Sequence, residues 1–193
     1  GDAISLAEAR TRTFARRKIL IVSTPTIAGA SRIEREYEQS DQRHFMVPCP
    51  HCAHEPRLRF ERLSWVKGKP DTAHYLCEAC EKPIKEHAKT QMLESGRWVA
   101  TCPGQSRTAG FHLSSLYSPI GWRSWKEIAQ AWELAQGSAV ALKAFKNTEL
   151  GETWVEQGET PEWQRLLERR ESYRIGTVPY GALLLAAGID VQK

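Results

Sequence analysis

The sequence predicts a mixed α/β chain, α+β in its details, built around a small metal-held insertion. Three observations carry that reading. Two Cys-x-x-Cys pairs, Cys49-Pro50-His51-Cys52 and Cys77-Glu78-Ala79-Cys80, stand 24 residues apart. Helix-start patterns alternate with short β-rich runs on either side of them. One of those runs, Ile19-Leu20-Ile21-Val22, is continuously apolar, as in a strand buried on both faces of a parallel sheet.

Taken in order, Ser5-Leu6-Ala7-Glu8 has the S-x-x-E form of a capping box and predicts a helix to about Lys18. Arg16, Arg17 and Lys18 suit the negative end of its dipole. The strand at Ile19–Val22 follows and runs into the loop Ser23–Gly29. Ser31-Arg32-Ile33-Glu34 repeats the capping pattern and predicts a second helix to about Gln39. Helix, buried strand, loop and helix make an α/β unit, and ligands of open α/β sheets lie beyond the carboxyl ends of the strands. Ser23, Thr24 and Thr26 occupy that place. Their hydroxyls suit a phosphate or its water; a simple turn fixed by Pro25 and Gly29 accounts for the same residues equally well.

The cysteines come next. Two residues between cysteines let a tight turn aim both sulfurs at one point, and two such turns complete a tetrahedral S₄ site for Zn²⁺. Cys49, Cys52, Cys77 and Cys80 are therefore the expected zinc ligands of a ribbon spanning 45–86. Four thiolates close the site, so the metal is structural. Disulfide, redox and iron–sulfur use are the alternatives. The rest of the chain reads against the disulfide, with charged residues at 26% and no apolar run long enough to span a membrane. Cys102 lies outside the pattern. His51, His54 and His74 read as loop residues, and His44, His87 and His112 have no ligand-spaced partner.

Strands are expected at Arg57–Phe60 and His74–Leu76 within the ribbon, then at Gly96–Ala100 and Ala109–Leu113. Ser124-Trp125-Lys126-Glu127 is a third capping box. Its helix carries apolar residues at 125, 128, 129, 132 and 135 and stops at Gly137. A shorter helix covers about Ala139–Lys146. Thr160-Pro161 opens another over about 161–173. The final run, Leu183–Val191, reads as a buried strand that places Gly188 and Asp190 on one face. A carboxylate there suits a hard Mg²⁺ ion. From the residue alone, an Asp meeting solvent at a strand end is the simpler reading.

A net charge of +4 and a pI near 8.8 permit nucleic-acid contact without requiring it. Five of the seven tryptophans fall between 98 and 154, where core packing accounts for them more simply than base stacking. The opening Gly1-Asp2 and the apolar run at the other end suggest a segment of a longer protein.

The order of these pieces resembles the large subunit of phage terminases of the lambda-like GpA family. The stretches that carry it are Ser5 through Phe14, Arg17-Lys18 through Ser23-Thr24-Pro25-Thr26, Gly29 through Glu34, and Ser40-Asp41-Gln42-Arg43. Val47 through Cys52, Gly110-Phe111-His112, Leu116-Tyr117-Ser118-Pro119, Gly121-Trp122 and Ser124-Trp125 continue the series. Asn147-Thr148, Leu150-Gly151-Glu152 and Gly188 through Gln192 complete it. The resemblance runs the length of the chain.

What the resemblance implies is specific. Residues 1–44 would be the C-terminal part of a P-loop ATPase domain, with Ser23, Thr24 and Thr26 as its coupling motif. The zinc-ribbon insertion would cover 45–86, a mixed strand and helical region 87–180, and the first strand of an RNase H-like nuclease 181–193. Asp190 would be a nuclease residue binding Mg²⁺ or Mn²⁺. The parent protein would be an ATP-driven DNA-packaging motor and endonuclease. Its partners would be double-stranded DNA, the small terminase subunit, the portal protein and further copies of itself. It would act in the cytoplasm of a bacterial host, with no membrane. No G-x-x-x-x-G-K-[ST] occurs in these residues, so the segment alone is expected to be inactive. The alternative is a non-enzymatic zinc-ribbon module that binds nucleic acid or protein.

Overall fold

The structure, a computed structural model, describes residues 3–104, 107–156, 177, 178 and 180. The chain divides into two compact units, Gly1–Glu156 and Gln157–Lys193, and every described helix and strand lies in the first. The helix expected at 161–173, the strand at Leu183–Val191 and Asp190 lie outside the described residues.

Two three-stranded sheets make up the β structure described. The first has the order β5-β1-β6: β1 (Arg43–Met46) runs antiparallel to β5 (Arg97–Ala100) and parallel to β6 (Phe111–His112). Gly110 lets β6 close up. An added Cβ there would overlap the Ser40 side chain, and the Gly110 amide donates to Asp41 Oδ1 at 3.1 Å. The second sheet is the antiparallel meander β2 (Leu63–Val66), β3 (Lys69–Leu76) and β4 (Pro83–Ile84). Its first hairpin turns through Lys67-Gly68, with Gly68 at φ +76°, as two-residue hairpin loops require.

Helix α4 (Trp125–Ala135) packs across β3. Its capping box forms as expected: Ser124 Oγ accepts the Glu127 amide, and the Glu127 carboxylate accepts the Ser124 amide at 2.7 Å. Trp125, Ile128, Ala129 and Ala135 are buried, so the apolar stripe is a core face. Trp125 lies 5.9 Å from the Tyr75 ring and donates its Nε1–H to the Leu116 carbonyl at 3.0 Å. Beside it Lys89, at the start of α3 (Lys89–Glu94), is fully buried. Its ammonium meets Glu86 at 2.7 Å and sits over the Trp125 ring. Phe60, Trp65, Trp132 and Phe145 form a second aromatic group, and Trp65 Nε1–H bonds Glu133 at 2.9 Å. Three of the tryptophans therefore serve packing, while Trp122 is exposed. Helix α5 (Ala139–Phe145) continues into one wide turn at Lys146–Leu150.

Three expected elements differ. The first helix, α1, is Ala3–Arg10 rather than Ser5–Lys18. It buries none of its residues, and Thr11 Oγ1 bonds back to the Glu8 carbonyl at 2.8 Å, a local bond that competes with helix continuation. Ile19–Val22 forms no strand, and Leu20 and Val22 are exposed. A strand of that composition needs neighbours on both edges and both faces, and none lies beside it among the described residues. Arg57–Phe60 holds a single bridge, Met46 to Arg57, before a 3₁₀ turn at Phe60–Arg62. Two buried tyrosines take the ladder's place. Tyr117 Oη accepts the Leu58 amide at 2.6 Å, and Tyr75 Oη accepts the Arg59 amide at 3.0 Å.

Helix α2 (Arg32–Glu38) begins where expected, but its capping box does not form. Ser31 Oγ instead accepts the Thr26 amide at 3.2 Å. Glu34 accepts the Gly29 amide at 2.7 Å and the Thr153 hydroxyl at 2.8 Å. The residues that would cap the helix tie the preceding loop to a distant segment.

Candidate metal centre and adjoining cavities

The two cysteine turns are built alike. The amide of Ala53 donates to the Cys49 carbonyl at 2.9 Å, and that of Glu81 to the Cys77 carbonyl at 3.0 Å. The amides of Cys49 and Cys77 donate to His54 and Lys82 carbonyls at 2.8 and 3.2 Å. Ala53 and Glu81 both adopt left-handed backbone, at φ 58° and 57°. Neither is glycine, so no residue type marks the turn; the bonds on either side impose it.

The four sulfurs of Cys49, Cys52, Cys77 and Cys80 all lie within 4.8 Å of one another. Cys49 Sγ is 3.9 Å from Cys80 Sγ, and Cys52 Sγ is 3.7 Å from Cys77 Sγ. A tetrahedral ion with metal–sulfur bonds of about 2.3 Å separates its ligands by about 3.8 Å. The donor set and its spacing thus fit one tetrahedral, thiolate-binding metal ion. Crowding of the thiols points the same way. Burial pushes the Cys49 thiol up to about 12. Burial also opposes ionisation of Cys77, but the Cys80 and Ala79 amides and neighbouring sulfurs bring it down to about 6. A bound dication would let all four ionise together.

The nearby histidines hold the turns together. His51 Nε2 lies 3.1 Å from the Pro83 carbonyl, and His54 Nε2 lies 3.0 Å from Glu78, so each joins one turn to the other. Arg62 clamps the second turn from outside, bonding the carbonyls of Leu76 and Cys77 at 3.1 and 2.7 Å. Cys102 stands apart from the cluster.

Ser23 and Thr24 line a cavity of about 650 Å³. Thr26 does not line it; its carbonyl accepts the Trp154 amide and the Asn147 side-chain amide, both at 2.8 Å. Tyr37, His44, Arg57 and His112 form another wall. His44 and His112 rings are 5.8 Å apart, and Arg57 Nη1 donates to His44 Nε2 at 3.0 Å. Burial, with the Arg57 charge beside it, lowers the His44 pKa to about 4 and keeps the ring a neutral acceptor. His112 Nε2–H donates between the Leu150 and Gly151 carbonyls, each at 3.1 Å. This cluster draws on α2, β1, β6 and the Arg57 bridge beside β1, and the Leu150 and Gly151 carbonyls hold His112 from the turn after α5. No local spacing marks it, and sequence reading missed it.

Residues 1–98 match the family description of the phage terminase large subunit gpA ATPase domain, and residues 108–193 match that of its endonuclease domain. The terminase large subunit of Enterobacteria phage P21 is 35% identical over 199 residues, covering 89% of this chain and 30% of that protein. The terminase large subunit of Escherichia phage lambda is 33% identical over 196 residues, covering 88% of this chain and 30% of that protein. The chain thus spans about 30% of the length of these relatives. No solved structure matches. The first matched stretch ends within β5 and the second begins just before β6, and both strands flank β1 in one sheet.

Proposed function

The chain belongs to the phage terminase large subunit gpA family, and from that premise we propose that it works within an ATP-driven viral DNA-packaging motor that also cuts DNA. The observation that carries this reading is the succession of an ATPase match and an endonuclease match along one chain. The ion at Cys49, Cys52, Cys77 and Cys80 is zinc, a reading supported by an S₄ donor set with no open position. It acts structurally, holding residues 47–84 together. Ser23, Thr24 and Thr26 couple nucleotide state to the rest of the motor; Ser23 and Thr24 on a cavity wall suit that role. Asp190 supplies one carboxylate to a Mg²⁺ or Mn²⁺ site that cuts phosphodiesters, a chemistry that needs several carboxylates around the ions. ATP, double-stranded DNA, the small subunit, the portal protein and further copies of the large subunit are the partners of the intact protein, in the host cytoplasm. No described helix is long and apolar enough to cross a membrane.

The test is a pair of variants in the intact protein. Asp190→Asn should abolish DNA cutting and leave ATP hydrolysis, because it removes one hard anionic ligand and keeps the side chain's shape. Thr24→Ala with Thr26→Ala should leave nucleotide affinity and reduce DNA-stimulated hydrolysis. Normal cutting by Asp190→Asn refutes the nuclease assignment, and normal packaging by the double variant reduces the loop to a turn.

A further inference from the structure

The four ligand cysteines differ in how far solvent reaches them. Cys49 and Cys77, the first cysteine of each turn, are 3% and 0% exposed and belong to the same buried cluster as Val47, Tyr75 and Ile84. Cys80 is half-buried. Cys52 is exposed, together with the whole run of residues 50–54. We propose that Cys52 is an oxidative modification site: a hydroperoxide reacts there first and converts the metal centre into a disulfide between Cys52 and Cys77. The inference rests on the metal reading above, because ligation is what holds Cys52 as a thiolate.

The thiolate, not the thiol, is the nucleophile, and susceptibility to oxidation follows thiolate character and exposure. Ligation ionises all four sulfurs alike. Exposure is then what separates them, and it singles out Cys52. In the first step Cys52 Sγ attacks one oxygen of hydrogen peroxide. The O–O bond breaks, hydroxide leaves, and Cys52 becomes a sulfenic acid. In the second step Cys77 Sγ attacks the Cys52 sulfur. The S–S bond forms, the S–O bond breaks, and a second hydroxide leaves. The two thiolates give up two electrons and the peroxide accepts them, so no further reagent is needed.

Cys77 is placed to take the second step. Its Sγ lies 3.7 Å from Cys52 Sγ, and a disulfide needs about 2.0 Å. Cys77 is fixed in the core, whereas Cys52 rides on an exposed turn that can close this gap with little loss of packing. The two turns also stay side by side without the ion. His51 Nε2 reaches the Pro83 carbonyl at 3.1 Å, and His54 Nε2 reaches Glu78 at 3.0 Å. Once Cys52 and Cys77 are joined, Cys49 and Cys80 are the only two donors left of the four, too few for a structural tetrahedral site. Oxidation thus exchanges the ion for a covalent link across the same two turns, and a dithiol attacking the exposed Cys52 sulfur reverses it.

The experiment treats the metal-loaded chain, in a Cys102→Ser background, with hydrogen peroxide. A colorimetric chelator follows metal release, and differential alkylation with peptide mass mapping follows each cysteine. About one equivalent of peroxide should suffice, the stoichiometry of one thiolate pair. The peptides carrying Cys52 and Cys77 should become disulfide-linked as the metal leaves, and a dithiol with added Zn²⁺ should restore the metal content. Cys52→His keeps a Cys₃His donor set, which zinc accepts. It should still bind the metal, more weakly, and slow peroxide-driven release about tenfold, since the exposed thiolate is gone. Modification that begins at Cys49, Cys77 or Cys80, a disulfide between Cys49 and Cys52, or release from Cys52→His at the unsubstituted rate overturns the proposal. Metal that stays bound through a large excess of peroxide overturns it too, and leaves the metal reading standing. A chain that carries no metal before treatment refutes the metal reading itself. Should Cys52→His fail to hold metal, the order of modification with Cys52 in place decides alone.

Discussion

Residues 47–84 and residues 11–31 are held in place by opposite means. In the first region the bonds around the four cysteines close locally, and the part remote from them, at Leu58, Trp65 and Gly68, is tied to Tyr117 and Glu133. Each cysteine turn bonds back onto its own first cysteine, His51 and His54 join the two turns, and Arg62 clamps the second. In the second the ties reach far along the chain. Thr26 is held by Asn147, 121 positions away, and Ala28 bonds the Trp154 carbonyl. Glu34 joins Thr153 from 119 positions away. Locally closed structure depends on ligands and turns it carries itself; the other region depends on where the 145–156 segment sits. The two should therefore fail separately.

The largest effect is expected in the ribbon. Cys49→Ser or Cys77→Ser should remove the metal, about one ion per chain by the four-ligand rule, and unfold residues 47–84. Structural zinc contributes on the order of 10 kcal/mol in small modules, more than this sheet can replace. Cys102→Ser should do neither. Elemental analysis with near-UV circular dichroism checks this. A metal-free chain with an ordered ribbon would refute the metal centre and erase the contrast between the regions.

Next is the long tie. Asn147 is buried, and its side chain donates to the carbonyls of Thr26 and Glu152 at 2.8 and 2.9 Å. Asn147→Ala leaves both acceptors without that partner and should cost about 1–3 kcal/mol. Limited proteolysis should then cut first between residues 11 and 31, while metal content is unchanged. Simultaneous loss of metal would mean that the two regions are one cooperative unit.

These contrasts explain what the sequence made legible. The Cys-x-x-Cys spacing, the 125–135 stripe and the Ser124 box each report bonds among near neighbours, and each formed. The glutamate of the same S-x-x-E pattern at Ser31 is spent on the Gly29 amide and on the Thr153 hydroxyl, a partner 119 positions away that no local window contains. The Tyr37–His44–Arg57–His112 cluster was illegible for the same reason. Its members are ordinary residues until β1 and β6 pair, and that pairing spans Arg43 to Phe111. The Arg57–Phe60 run failed differently: its alternation was real, but tyrosine hydroxyls took the amides a ladder would have used.

The two boxes give a third prediction. Ser124→Ala removes a formed cap and should destabilise the chain by about 1 kcal/mol, through α4 and the core it covers. Glu34→Ala should cost a similar amount without shortening α2, since Glu34 accepts from Gly29 and Thr153. Amide exchange separates them. Protection should fall at Glu127 in the first variant and at Gly29 in the second. Loss at the start of α2 in the second would restore the capping reading.

The smallest effect is expected where the apolar pattern is strongest. Leu20 is 87% exposed and Val22 83% exposed, with no strand beside them among the described residues. Truncating a buried leucine costs about 2–5 kcal/mol, whereas exposed substitutions stay within about 0.5 kcal/mol. Leu20→Ser in this chain should fall in the second class, with an unchanged denaturation midpoint. The same substitution is informative in the intact protein, where a run of this composition suits a strand with neighbours on both sides. A large loss of stability there, beside none here, would show that Ile19–Val22 takes its structure from residues outside this chain. A large loss already in this chain would mean that the run is buried after all, and that the second region is closed by its own core rather than by its distant ties.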